Sequence, residues 1–220
     1  RLEVLPEGAV LEHAEWIDLL HATPEEVASV RALGIDVPTL ADMEEIEVSN
    51  RLYHEDEIDY LTVVLPGQDA AGEQVMSPVC FAVAQARLVT VRHHAPRPFE
   101  TYPARAGKSS LGCSTPDRIF LGLIEEVIGR LADHLEIAGG GLDKISRGIY
   151  HPGPKGHQQS DLESALSNLG AEGERLGRVR LALLTLGRAL NYVDQLLGHR
   201  LSMEGLGLVL KGQLRDIEAL

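Results

Sequence analysis

The chain has 220 residues, 44% apolar and 24% charged, with two cysteines and a formal net charge of -13; that is enough for one sizeable core or two modest ones and excludes a disulfide scaffold. No apolar run reaches the roughly 18 residues of a membrane span, and Arg1-Leu2-Glu3-Val4 opens no signal-peptide pattern, so the chain is expected in the cytosol or facing it. Residues 1–60 hold sixteen acidic side chains against Arg1, Arg31 and Arg51, whereas the remainder holds seventeen of each sign, which argues against nucleic acid as a partner and for cations.

Trp16-Ile17-Asp18-Leu19-Leu20 reads as a short buried strand. Thr23-Pro24-Glu25-Glu26 supplies an N-cap, a proline at the first helical position and acids in the first turn, predicting a helix to about Leu33 that Gly34 stops. Pro38-Thr39 opens a second helix predicted to reach Glu47. Leu40, Met43 and Ile46 form its apolar stripe, leaving Asp42, Glu44 and Glu45 to face water. Alternating segments at 51–54, 59–65, 75–84 and 88–92 predict a small sheet, with turns at Pro66-Gly67-Gln68-Asp69 and Gln85-Ala86-Arg87. Pro96, Pro98 and Pro103 read as a break, and Gly107-Lys108-Ser109-Ser110-Leu111-Gly112 as a linker. An acidic α/β domain is therefore expected over 1–107.

The period then changes. From Thr115-Pro116-Asp117, apolar residues recur at Phe120, Ile124, Val127, Leu131, Leu135, Ala138, Leu142, Ile145 and Ile149, one helix face with a weak point expected at Gly139-Gly140-Gly141. His151-Pro152-Gly153-Pro154 ends it, and Ser160-Asp161 starts the next. Leucines at 162, 169, 176, 183, 190 and 197 keep a seven-residue spacing, but their companion positions wander, which favours packing against neighbours of more than one kind over a zipper dimer. A long antiparallel hairpin is expected over 108–201. A third helix, beginning near Ser202-Met203-Glu204 and occupying 202–220, ends on Arg215-Asp216-Ile217-Glu218-Ala219-Leu220 without a C-cap and reads as cut rather than finished. The fold class is α+β: a small sheet with flanking helices in an α/β/α sandwich, then the long helix pair and the start of a further helix.

The motifs that carry covalent chemistry are absent. There is no HExxH, CxxC, GxGxxG, GxxxxGK[ST] or GxSxG; Gly107-Lys108-Ser109-Ser110 lacks the leading glycine and preceding strand of a phosphate loop. Cys80, inside Val79-Cys80-Phe81-Ala82-Val83, reads as an inert core thiol. His93-His94, His151 and His157 read as surface or loop residues. What remains is the carboxylate surface of the first half, especially Asp42, together with Asp216 near the C-terminus. A magnesium ion asks for one or two carboxylates and several waters, and such a site leaves no spacing motif.

Several segments together resemble the cytoplasmic part of the CorA magnesium transporters: Trp16-Ile17-Asp18-Leu19, the block from Pro38-Thr39-Leu40-Ala41-Asp42 to Ser49-Asn50-Arg51-Leu52, Ile145-Ser146-Arg147, Arg188-Ala189-Leu190-Asn191-Tyr192 and Leu214-Arg215-Asp216-Ile217-Glu218. Their order and spacing cover nearly the whole chain. The resemblance implies an α/β domain, a long helix pair and a stalk helix leading to membrane segments, in a homopentamer at the cytoplasmic face of the inner membrane. It implies a transporter of magnesium, and of cobalt, rather than an enzyme, with no organic cofactor. It also implies that Asp42 and Asp216 face each other across a subunit boundary around a regulatory Mg2+. Ala41 stands where some members have a second acid. The two membrane helices and the Gly-Met-Asn loop of the family lie outside this sequence. Other readings are a zinc-transporting relative, a helical adaptor binding a partner through its leucine row, and a metal-assisted hydrolase built on the acidic helix.

Overall fold

The structure, a computed structural model, describes residues 10–45, 47, 51–150, 159–203 and 205–220, with only the backbone described at 159–161, 197–200, 202 and 203. Five strands form one sheet: β1 (Trp16–Leu20), β2 (Leu52–Glu55), β3 (Ile58–Gln68), β4 (Gln74–Val83) and β5 (Leu88–Arg92). Their spatial order is β1-β5-β4-β3-β2, with β1 parallel to β5 and every other pair antiparallel. Period-two alternation divides the side chains between two cores. Ile17, Tyr60, Cys80, Ala82, Val89 and Val91 pack under α1 (Pro24–Arg31) and α2 (Leu40–Glu44). Leu61, Val63, Val79, Phe81 and Leu88 pack on the other face, under α3 (Arg97–Ala106), α4 (Pro116–Tyr150), α5 (Gln159–Met203) and α6 (Gly207–Ala219). This is the expected α/β/α sandwich with long helices following it.

Four local expectations need correction, and at the triple glycine the helix is continuous. The turn expected at Pro66-Gly67-Gln68-Asp69 is strand for its first three residues: β3 continues to Gln68, and the reversal falls at 69–73, where Asp69 Oδ1 accepts the N–H groups of Ala71 and Glu73, each at 2.9 Å. Pro66 is tolerated because even-numbered N–H groups of β3 point away from β4. Thr62 N–H donates to the Arg51 carbonyl and Val64 N–H to Thr185 Oγ1 of α5, and the position two further on has no strand to bond. The proline-rich break at Pro96, Pro98 and Pro103 is helix α3, since two of its prolines occupy the N-cap and first turn, where no N–H is needed, and Phe99, Tyr102 and Ala106 are buried at helical spacing. An aromatic cluster anchors it, with Trp16 5.9 Å from Tyr102 and Phe81 6.1 Å from Phe99.

The second helix stops at Glu44 rather than Glu47, because Glu45 is extended (ψ 140°). The triple glycine does not interrupt α4, whose 35 residues run about 52 Å at ~1.5 Å per residue. Gly141 faces Glu172 of α5, and a Cβ there would run into the end of that side chain. Finally, residues 202 and 203 end α5 rather than start α6. The reversal is a Schellman turn, with Gly205 at φ 76° and Leu206 N–H donating to the Leu201 carbonyl at 2.7 Å; both leucines are buried. The leucine row of α5 changes neighbours along its length, as its wandering companions suggested: Leu162 and Leu169 are exposed at the tip, and Leu190 is fully buried among the sheet and helices.

Candidate functional site

Asp42 is held by its own helix end. It is the third residue of α2 and forms a capping box with Thr39: its N–H donates to Thr39 Oγ1, and its Oδ2 accepts from Thr39 N–H at 2.8 Å and Thr39 Oγ1–H at 2.6 Å. Those hydrogen bonds hold its carboxyl below the ordinary value of 3.8. Met43 anchors the helix in the core, and Arg51 fixes the other end by donating Nε–H to the Glu45 carbonyl at 2.5 Å. Asp42 is thus ionised, exposed and tied through Oδ2 to Thr39, and among the described residues no hydrogen bond is made to its Oδ1. The Thr-x-x-Asp spacing that signals this capping was present in the sequence.

Asp216 sits exposed on α6. That helix is seated by buried Leu210, by Gln213 Nε2–H donating to the Leu121 carbonyl of α4 at 2.8 Å, and by Ile217 against Gly187 of α5. Because α2 lies on one face of the sheet and α6 is packed in the core of the other, a single chain does not bring Asp42 and Asp216 together.

Other acids of the first 60 residues have internal work. Asp18 receives a forked pair from Arg92, Nη2 at 2.6 Å and Nε at 3.0 Å, and also a bond from Thr90, which in turn accepts from the Trp16 indole. Asp59, 2% exposed, bonds His54 Nδ1 at 2.9 Å, and Asp36 bonds Arg31 at 2.9 Å. Asp42 and Glu44 of α2 and the following Glu45 are exposed. No group of three or more His, Cys, Asp or Glu among the described residues is arranged to hold a metal ion. A site here would be of the magnesium kind, few carboxylates and mostly water, rather than a ligand cage.

The histidine and cysteine readings divide. Cys80 is fully buried and its thiol is pushed up to about 12 by desolvation. His94, expected at the surface, is instead 1% exposed, and its Nε2–H donates to the Leu65 carbonyl at 2.9 Å, helping to tie the end of β5 across β3; burial lowers its pKa. His151 and His157 lie outside the described residues. No helix among the described residues is long and apolar enough to cross a membrane.

Residues 12–215 match the family model of the CorA-like Mg2+ transporter protein. The chain is 34% identical over its whole length to the magnesium transport protein CorA of Escherichia coli K12, spanning 67% of that protein, and 33% identical to its counterpart in Salmonella typhimurium. Its fold is similar to that of the soluble domain of CorA from Methanocaldococcus jannaschii, with a TM-score of 0.60 at 12% identity, covering 93% of this chain and 82% of that one. The ZntB cytoplasmic domain from Vibrio parahaemolyticus has a similar fold, with a TM-score of 0.57 at 13% identity over 93% of this chain and 83% of that one.

Proposed function

The chain belongs to the CorA-like Mg2+ transporter family, and from that premise we propose that it is the cytoplasmic, ion-sensing part of a divalent-cation channel that carries magnesium, and cobalt with it. The observation that carries this reading is the family match over residues 12–215 joined to whole-length identity with a magnesium transport protein. That identity supports magnesium over zinc as the ion carried. No reaction is catalysed in this reading. Residues 1–107 form its acidic sensing domain, 108–201 a helical lever and 202–220 the start of a stalk that leads to the membrane, in a homopentamer.

The residues themselves suggest how sensing works. Asp42 on an exposed cap and Asp216 on a helix packed beneath the opposite face of the sheet suit a site completed between neighbouring subunits. Facing carboxylates repel, and a hydrated divalent cation between them offsets that repulsion, which holds the ring closed. When cytosolic magnesium falls, Asp42 and Asp216 push apart and the stalk helices are free to splay. Ala41 stands where some members of the family have a second acid, which argues against an additional ion at this position.

The test is limited proteolysis of the membrane-embedded protein. Millimolar magnesium is expected to slow cleavage within the helical hairpin, and removal of magnesium by a chelator to restore it. Cleavage at one rate with and without magnesium would overturn the sensing role.

A further inference from the structure

On the face of the sheet opposite α1 and α2 lies a cleft of opposite character. It is an open cleft of about 560 Å³ lined by the end of β3, the start of α3 and parts of α4 and α5. Four arginines line it, Arg97 from α3, Arg130 from α4 and Arg175 and Arg178 from α5, against two glutamates, Glu100 and Glu174. In a chain of 33 acids and 20 bases, four arginines from three helices line this one cleft, with Arg175 and Arg178 about one third exposed.

Their acidic partners do little to hold them. Arg97 pairs with Glu100, Arg178 with Glu174, Arg175 with Glu172 at 3.2 Å and Arg130 with Asp133 at 3.7 Å. All four are pairs within one helix, three or four residues apart, and such pairs are weak. The Nε of Arg130 is buried without a hydrogen-bond partner, an expensive state for a charged donor. His134, one turn along α4, has its pKa lowered first by burial and then by Arg130 and Arg175. Cations from α4 and α5 therefore line one cavity, with Glu172, the partner of Arg175, the best-buried acid among these pairs.

We propose that this cavity binds a small organic diphosphate, its phosphate oxygens bridging Arg130 of α4 to Arg175 and Arg178 of α5. Guanidinium forks match phosphate oxygens two at a time. The volume is far larger than one phosphate and falls within the range of small-molecule sites, and Ile137 and Val179 supply an apolar wall for the organic remainder. Binding would tie the two long helices together near the sheet, a second input to the same lever that the acidic surface works. The site stands on its own residues and does not depend on the family reading.

The experiment is calorimetric titration of the 220-residue chain with inorganic pyrophosphate and with adenosine diphosphate in magnesium-free buffer. Both are expected to bind. The Arg130→Gln/Arg178→Gln double variant is expected to weaken binding roughly tenfold to a hundredfold, as loss of charge-assisted hydrogen bonds does, and Lys211→Gln on α6 to leave it unchanged. Equal affinity for the two probes makes the diphosphate group the whole ligand, and tighter nucleotide binding adds the apolar wall; either upholds the site. A thermal melt of each variant reports its folding, and Arg175→Lys, which keeps the charge and loses the fork, should bind more weakly than the parent. Absence of binding at millimolar probe, or equal losses in Lys211→Gln and the double variant, would overturn the proposal.

Discussion

Thr39 and Asp42 each satisfy the other's backbone N–H, so the acid with the clearest candidate role as an ion ligand is also a helix cap. The two roles separate by mutation. Thr39→Ala is expected to lower the stability of the chain by about 1 kcal/mol, the usual cost of a lost N-cap, while leaving the carboxylate in place. Denaturant unfolding measures it, and no change would mean that Arg51 and Met43 alone hold α2. His94 gives a second expectation. Burial lowers its pKa in the folded protein, against the hydrogen bond to Leu65 and with Arg92, His21 and His93 adding to the effect, whereas in the unfolded chain it protonates near its ordinary 6.5. Its folded pKa is lowered, so its contribution is complete above about pH 6.5 and is lost as the pH falls through the folded value. His93 and His134 shift the same way. The melting temperature should fall between about pH 7.5 and about pH 5.5, and His94→Gln, which retains a donor for Leu65, should reduce the fall.

At the scale of elements, the glycines of α4 divide by what they face. Gly139 and Gly140 have open space where a Cβ would stand, and Gly141 meets Glu172. Gly139→Ala and Gly140→Ala should each stabilise the chain by about 1 kcal/mol, the helix-propensity difference, and Gly141→Ala should gain less or lose, because it displaces the partner of Arg175. Equal gains at all three, read from chemical denaturation, would show that Glu172 moves aside freely. The same helices show what the sequence made legible. Period 3.6 over Phe120 to Ile149 marked α4, and alternation with β-branched residues marked the strands, since both signals come from burial of one face. α3 was hidden because proline content usually outweighs spacing, yet Phe99, Tyr102 and Ala106 bury enough surface to hold the helix against Pro103. The reversal at Gly205 was readable from its glycine and the leucines around it, but the continuous apolar pattern masked it. The arginine cavity could not be read at all, because Arg97, Arg130 and Arg178 are brought together only by tertiary packing.

For the whole molecule, the charge distribution sets the expectation for assembly. Excess negative charge gathers in the first 60 residues, and like-charged surfaces repel over the Debye length of about 10 Å at 0.1 M salt. The 220-residue chain should therefore sediment as a monomer or a weak oligomer at low salt without magnesium, and shift to larger species when millimolar magnesium is added. A tight assembly that ignores both salt and magnesium would mean that apolar contacts govern association and that the acidic field is secondary.

We propose that Asp42 of one subunit and Asp216 of the next share a regulatory ion. The most direct measurement is a double-mutant cycle on magnesium protection against proteolysis in the membrane-embedded protein, using Asp42→Asn, Asp216→Asn and both together. Groups that share one site are not additive, so each single substitution should remove most of the protection and the double variant should be scarcely worse than either. Two solvated surface acids would instead give small effects, tenths of a kcal/mol, that simply add. Additive, small losses, with magnesium still closing the protein, would contradict the account.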